Sequence, residues 1–380
     1  MRTRTFFFLL LLCIFSLTVM GQSFSLSELE IQTTGYIPEN ENTPVFSTTG
    51  IVAGRFIPAH WLRLRASTYF YIPDTVDFFY KLNDSTDPGR IIFDGIDLTF
   101  PNIHNSSWSL IIFTGRLDNP ASDSLLREHL KVSIDEPEFH GLPSGMAFSP
   151  EGKIHGTGIG ITGIPGNTNV VTGFYGYWND STGSDMAGSF DVRLGLSGNI
   201  IVATFFGGAT LVKESGDTTF RTGISSLVHS GQSYEIYAEA GLRQFDANSS
   251  KLGKNMYLLF EPRIYLEKTD LALSFFSSPL FPENAPNHVA VEAENNLLGI
   301  NFLIAAGSTD YHKKRGGVSF LACMDPDQPG KVTPLSFSIS PFYTVRISDY
   351  TLDITAVIKP LHLDKIREAG EIRLLFKAVY

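Results

Sequence analysis

Segment after segment of this chain alternates apolar and polar side chains with a period of two, over runs of about ten residues. Tyr234, Ile236, Ala238, Ala240 and Leu242 interleave with Glu235, Tyr237, Glu239, Gly241 and Arg243. Leu258, Phe260, Pro262, Ile264 and Leu266 oppose Leu259, Glu261, Arg263, Tyr265 and Glu267. Nearer the start, Leu62, Leu64, Ala66, Thr68 and Phe70 oppose Arg63, Arg65, Ser67 and Tyr69. Toward the end, Leu335, Phe337, Ile339, Tyr343, Val345 and Ile347 oppose Ser336, Ser338, Ser340, Thr344 and Arg346. Leu352, Ile354, Ala356 and Ile358 likewise oppose Asp353, Thr355 and Lys359. Successive side chains on a strand point to opposite faces, so each run predicts a strand with one greasy face and one polar face. Helical periodicity is almost absent, and Gly, Asn, Asp, Ser and Pro punctuate the runs.

Strand length decides what kind of sheet this is. Strands in globular sheets usually run about five or six residues, whereas roughly nine to eleven are needed to cross a bilayer at a tilt. Hydrocarbon offers no hydrogen-bond partners, so a spanning sheet must close on itself and leave no edge. The predicted fold is therefore all-β, a closed antiparallel transmembrane β-barrel with a polar lumen. In such barrels short turns at one end alternate with longer loops at the other. The expected connections obey that rule: 37–45, 73–89, 117–152, 179–187 and 246–254 are long, and those near 58–60, 101–105, 164–168, 197–199 and 231–232 are short. Only 213–217 is a short outer loop. Counting 289–294 as a crossing would make the strand number odd, so 280–296 is assigned to a long loop and 297–306 to the crossing. The total is then about 18 strands, with 16 as the alternative.

The first residues, MRTRTFFFLLLLCIFSLTVMGQ, set the compartment. Arg2 and Arg4 precede an apolar run too short to span a membrane comfortably, followed by a plausible cut before Gln22. Residues 1–21 are expected to be a secretory signal peptide and 22–380 a single barrel domain. Removing the leader takes Cys13 with it, and the lone Cys323 cannot build an intramolecular disulfide framework. The chain carries 29 basic against 39 acidic side chains, and two of the basic ones leave with the leader. So acidic a protein, without a basic aromatic stripe, is a poor nucleic-acid partner.

The last ten residues, EIRLLFKAVY, pose the sharpest local question. Ile372, Leu374, Phe376, Ala378 and Tyr380 form a wholly apolar or aromatic face that runs to the final residue of the sequence. A strand closing a barrel against the first strand needs that face for lipid, and Tyr380 would sit at headgroup level. The alternation ending on an aromatic ring resembles the C-terminal assembly signal of bacterial outer-membrane proteins. The resemblance implies recognition by the barrel assembly machinery, and in general character the chain resembles a porin. Export, outer-membrane lipid as the surrounding medium and a diderm bacterium as the source are expected accordingly.

Lumen charges are the candidates for selecting solutes. Arg55, Arg63 and Arg65 lie early, while Arg346, Lys359, Arg373 and Lys377 lie late, and closure would bring the two groups together as one wall. Glu235, Glu239, Glu261 and Glu267 fall on middle strands roughly opposite. The longest connection, 117–152, contains a short helical signal in ASDSLLREHLKV, with Ser122 as a cap candidate, and then the acidic DEPEFHG. It either lies on the outer surface or folds inward, in which case Asp135, Glu136 and Glu138 would constrict the pore.

Chemistry is not expected. GIGITG at 158–163 matches the dinucleotide fingerprint in form, but no helix follows it. Gly156, Gly158 and Gly160 instead share one strand face, where missing side chains permit close approach. The nine histidines show no zinc-binding spacing, GLPSG is not a nucleophile elbow, and His229 lies close to Ser225 and Ser226 on one strand, the kind of pair a barrel-embedded lipase would need. No cofactor or metal is expected, and the chain is not expected to be an enzyme. The reading is a porin or specific diffusion channel for small polar solutes, with an oligomer left open. The alternatives are a plugged transporter for hydrophobic substrates, a surface adhesin and a soluble secreted β-protein.

Overall fold

The computed structural model describes residues 23–38, 43–80, 89–103, 106–117, 125–142, 146–147, 154–166, 168–179, 187–212, 218–231, 233–246, 256–279, 281–282, 296–307, 314–324, 336–362 and 369–379. The expected leader and Tyr380 lie outside them, as does Ser122.

Eighteen antiparallel strands close into one barrel. In chain order they are β1 (Ser23–Tyr36), β2 (Val45–Ala59), β3 (Leu62–Ile72), β4 (Arg90–Phe100), β5 (Trp108–Arg116), β6 (His155–Gly163), β7 (Val170–Asn179), β8 (Ala187–Ser197) and β9 (Ile201–Val212). The second half comprises β10 (Thr218–Ser230), β11 (Tyr234–Asp246), β12 (Met256–Tyr265), β13 (Thr269–Pro279), β14 (Asn296–Gly307), β15 (Lys314–Met324), β16 (Ser336–Ile347), β17 (Tyr350–Ile358) and β18 (Gly370–Val379). Each strand pairs with its chain neighbours, and β1 pairs with β18 from Glu28 opposite Val379 to Gly35 opposite Ile372. No edge is left among these strands, which is what a sheet in hydrocarbon requires. The crossing at 296–307 and the count of 18 agree with the sequence reading.

Two-residue periodicity sets the faces. On β11 Tyr237 and Glu239 are buried toward the lumen while Ile236 is exposed on the outside. On β12 Tyr257, Leu259, Glu261 and Arg263 turn inward, and Leu258, Phe260 and Ile264 turn outward. On β18 the outward Ile372 and Leu374 are 61% and 43% exposed, so a large apolar surface faces whatever medium surrounds the barrel. Phe376 stacks on Tyr350 with ring centroids 5.9 Å apart. Ala378 is covered between Leu29 and Tyr350, its partners in register. In water each exposed large side chain would forgo roughly 1.5–3 kcal/mol of transfer free energy, so this exterior belongs in a bilayer. Trp61, at a short turn, stacks on Phe100 at 6.4 Å, and Trp178 is exposed near the opposite rim. Indole rings at both ends match the interfacial girdles of such barrels.

Short and long connections alternate between the two ends, as 60–61 and 348–349 at one and 73–89, 117–154 and 280–295 at the other illustrate. The Gly-rich face of β6 points inward. A side chain added at Gly158 would collide with Tyr177 and the Gly176 carbonyl, and one at Gly160 with the Tyr175 ring. These glycines let two tyrosines of β7 lie across β6, and among the described residues no helix stands between β6 and β7.

Candidate functional site

The connection between β5 and β6 begins by extending their hairpin, with the Leu117 N–H donating to the Ile154 carbonyl at 3.0 Å. Residues 125–142 then run inside the barrel. A single π-helical turn, Leu126–Leu130, ends at Lys131, whose backbone is left-handed (φ 59°). Where the expected helical signal falls on described residues, Leu125 is α-helical and this turn follows it directly. Leu125, Leu126, Ile134 and Leu142 pack on the lumen faces of β7, β9, β10, β11, β12, β13 and β15 through Val171, Val202, Leu227, Tyr237, Leu259, Phe276 and Leu321. Gly195 of β8 makes room, since a side chain there would strike Leu126 and Val171. Of the two placements open from sequence, these residues take the inner one.

Register gives the depth of this inner segment. His129 meets Thr162, near the short-turn end of β6, at 3.2 Å. Arg263 of β12 donates to the Asp135 carbonyl at 2.8 Å. Arg315 of β15 donates to both carboxylate oxygens of Glu138 at 2.6 and 2.7 Å. Arg263 and Arg315 belong to the short-turn halves of their strands. Farther on, the Gly141 carbonyl accepts from Ser338 of β16, and the His140 and Leu142 carbonyls accept from Arg373 of β18. Ser338 and Arg373 lie in the opposite halves, so the described part of the segment starts deep in the barrel at Leu126 and rises past the middle by residues 141–142. Its apolar side chains face the wall, while Arg127, Glu128, Lys131, Asp135 and Glu136 are exposed.

Two groups on the segment have altered acidities. Burial lowers the pKa of His129 below its ordinary value, and the Lys131 and Arg63 charges add to this against the opposing Glu128. For Glu138 burial would raise the pKa, but the hydrogen bond with His140 and the Arg315 charge hold it down to about 2. The His140 ring also stacks on Phe342 of β16, with centroids 3.9 Å apart.

Arg55 of β2, Arg63 and Arg65 of β3, Arg346 of β16, and Arg373 and Lys377 of β18 sit on strands that adjoin across the β1–β18 closure. Several are matched locally. Arg65 pairs with Glu28 at 3.0 Å and with Asp97 at 3.9 Å, Lys377 with Glu30 at 3.1 Å, and Arg373 with Glu371. Arg346 donates to the Ser348 carbonyl at 3.3 Å. Arg55 and Arg63 have no ion pair among the described residues. Lys359 lies just past β17 at the long-loop rim, and Glu267 is exposed in the β12–β13 turn. Glu235 binds His229 at 2.9 Å and Tyr265 at 2.7 Å, Glu239 accepts from Tyr237 at 2.7 Å, and Glu261 accepts from Arg263 at 2.7 Å. Ser225 shares its hydroxyl hydrogen bond with Thr204 at 2.5 Å, while the His229 ring is engaged by Glu235.

Sequence reasoning missed two groups. Arg315 stands in HKKRGG at 312–317, where no alternation marks an inward residue, yet β15 begins at Lys314 and turns Arg315 inward. The second is a buried knot in which Asp191 binds the Tyr177 hydroxyl at 2.9 Å and Arg221 at 2.7 Å, with Arg193 at 3.6 Å and stacked over Phe206. The inward alternation of Ser189, Asp191 and Arg193 on β8 was the available signal.

A closed 18-strand barrel with an apolar exterior and a segment folded into its lumen is a porin-like outer-membrane architecture. Solved bacterial outer-membrane porins share the barrel fold. OccAB3 of Acinetobacter baumannii aligns with a TM-score of 0.55 at 9% identity, covering 93% of this chain and 98% of that one. OccAB2 of the same organism aligns at 0.54 and 10%, covering 93% and 97%. OccK11 (OpdR) of Pseudomonas aeruginosa aligns at 0.53 and 9%, covering 93% and 95%. At such identities the likeness is one of fold. No family model matches the chain, and no curated protein matches it.

Proposed function

We propose that this protein is a channel of the bacterial outer membrane through which small polar solutes diffuse, narrowed by its own inner segment. The observation that carries the reading is the amphipathic packing of residues 125–142, apolar toward the wall and charged toward the remaining space. A barrel of 18 strands is too wide to be filled by wall side chains alone, so an aqueous path beside the segment follows. The work of such a protein is selection by size and charge, with low barriers to entry and exit.

In this reading Arg55 and Arg63 on the wall and Asp135 and Glu136 on the segment supply charges of opposite sign on opposite sides of the path. The leader at 1–21 directs export through the general secretory route. The final strand, with Tyr380, is read by the assembly machinery. Deleting residues 121–140 tests the central reading. Single-channel conductance in a planar bilayer is expected to rise, and an unchanged conductance in a folded barrel contradicts it. Exchanging Arg55 and Arg63 for Gln is expected to move the reversal potential in a salt gradient toward cation preference, and no movement removes the charge assignment.

A further inference from the structure

We propose that Arg263, Arg315 and Arg373 are positioning residues: a three-point clamp that fixes the inner segment and so sets the width of the path. The inference rests on the reading that this segment narrows the lumen, and it assigns to these arginines a task other than meeting solute.

The same arrangement recurs three times. Glu261 holds Arg263 from the wall at 2.7 Å, and Arg263 donates onward to the Asp135 carbonyl at 2.8 Å. Asp270 lies 3.5 Å from Arg315, and Arg315 donates onward to the Glu138 carboxylate. Glu371 pairs with Arg373, and Arg373 donates onward to the His140 and Leu142 carbonyls. Each guanidinium is thus charge-matched by a wall carboxylate and spends other donors on the segment. A forked group with five N–H donors can do both at once, whereas an ammonium offers one point charge. The three side chains are only 8%, 9% and 12% exposed, so little of any guanidinium is left for a passing solute.

Spacing supports the clamp. The arginines stand on β12, β15 and β18, three strands apart each time. Their partners at 135, 138 and 140–142 follow one another along the segment in the same order as these strands follow round the wall. Asn301 of β14 adds a bond to the Glu138 carbonyl at 3.1 Å, between the first and last points.

The test compares Arg263→Met, Arg315→Met and Arg373→Met with the wild-type chain in planar bilayers, scoring conductance and the largest polyethylene glycol that still enters the pore. Each exchange is expected to raise conductance toward that of the 121–140 deletion and to shift the cut-off to larger polymers. Glu138→Ala, which leaves every wall strand intact, is expected to widen the pore as Arg315→Met does. The swap Glu138→Arg with Arg315→Glu should restore the wild-type cut-off, which loss of a mere structural support would not. Lys268→Gln, in the exposed β12–β13 turn, should leave both conductance and the cut-off where they were. If the deletion widens the pore while Glu138→Ala and the folded arginine variants do not, the clamp is overturned and the constriction stands. A deletion without effect overturns the constriction itself.

Discussion

At the scale of single residues, the barrel shows where the period-two pattern has been bent to other needs. Pro341 on β16 faces outward in mid-strand, and the ladder to β17 skips from Ile339 opposite Ile358 to Phe342 opposite Thr355. Proline donates no ladder hydrogen bond, and a closed barrel has no edge on which to hide it. The buried Ser340 hydroxyl beside it has no hydrogen-bond partner among the described residues. Pro341→Val should restore a donor worth about 1 kcal/mol and raise the temperature at which the compact, fast-migrating form is lost on gels. A lower temperature would contradict this account of the gap. Gly158 is the opposite case, a small residue whose absent side chain is needed. Gly158→Val should force Tyr177 from its place and destabilise the barrel by about 1–3 kcal/mol, read in the same assay.

At the scale of elements, the inner segment and the last strand carry the testable physics. His129 has a lowered pKa, so its packed neutral form contributes stability above the ordinary histidine value, and that stability is lost as pH falls below it. Glu138 has a depressed pKa, so its contribution is whole above the ordinary glutamate range and is lost as pH falls from there through about 2. The two ends of the segment should therefore respond differently to acid. Between pH 7.5 and 4, current noise is expected to rise and to be abolished by His129→Gln. Mean conductance is expected to stay well below the deletion level over that range, because the Arg315–Glu138 end still holds. A mean that climbs to the deletion level by pH 4 contradicts the assignment. On β18, Leu374→Arg would place a charge on the outward face, at a cost of about 2–4 kcal/mol if the site lies near the bilayer midplane. Reduced insertion into lipid vesicles is expected, and insertion at the wild-type level would show that this face does not meet lipid.

At the scale of the whole molecule, the wall was legible in sequence because the bilayer imposes one rule on every crossing. Length near ten, alternation and absence of an edge together placed β3, β11, β12 and the last three strands on their observed faces. The same rule assigned 280–296 to a connection, because an even strand number was needed to close, and the crossing opens one residue earlier, at Asn296. The inside was less legible. Nothing in DEPEFHG says that Glu138 will meet Arg315, since the contact joins residues 177 apart in sequence and depends on barrel closure. Lumen charges could be named from alternation, but alternation does not say which of them face one another. Arg65, Lys377 and Glu235 were legible as inward residues; their partners Glu28, Glu30 and Tyr265 follow only from register.

The most direct measurement of the central claim is the current through wild-type protein reconstituted in a planar bilayer, taken from the heat-modifiable, unheated band. Stepwise, ohmic increments that shrink when small polyethylene glycols enter the pore are the predicted result. A folded, inserted barrel that passes no current at any voltage would contradict the account.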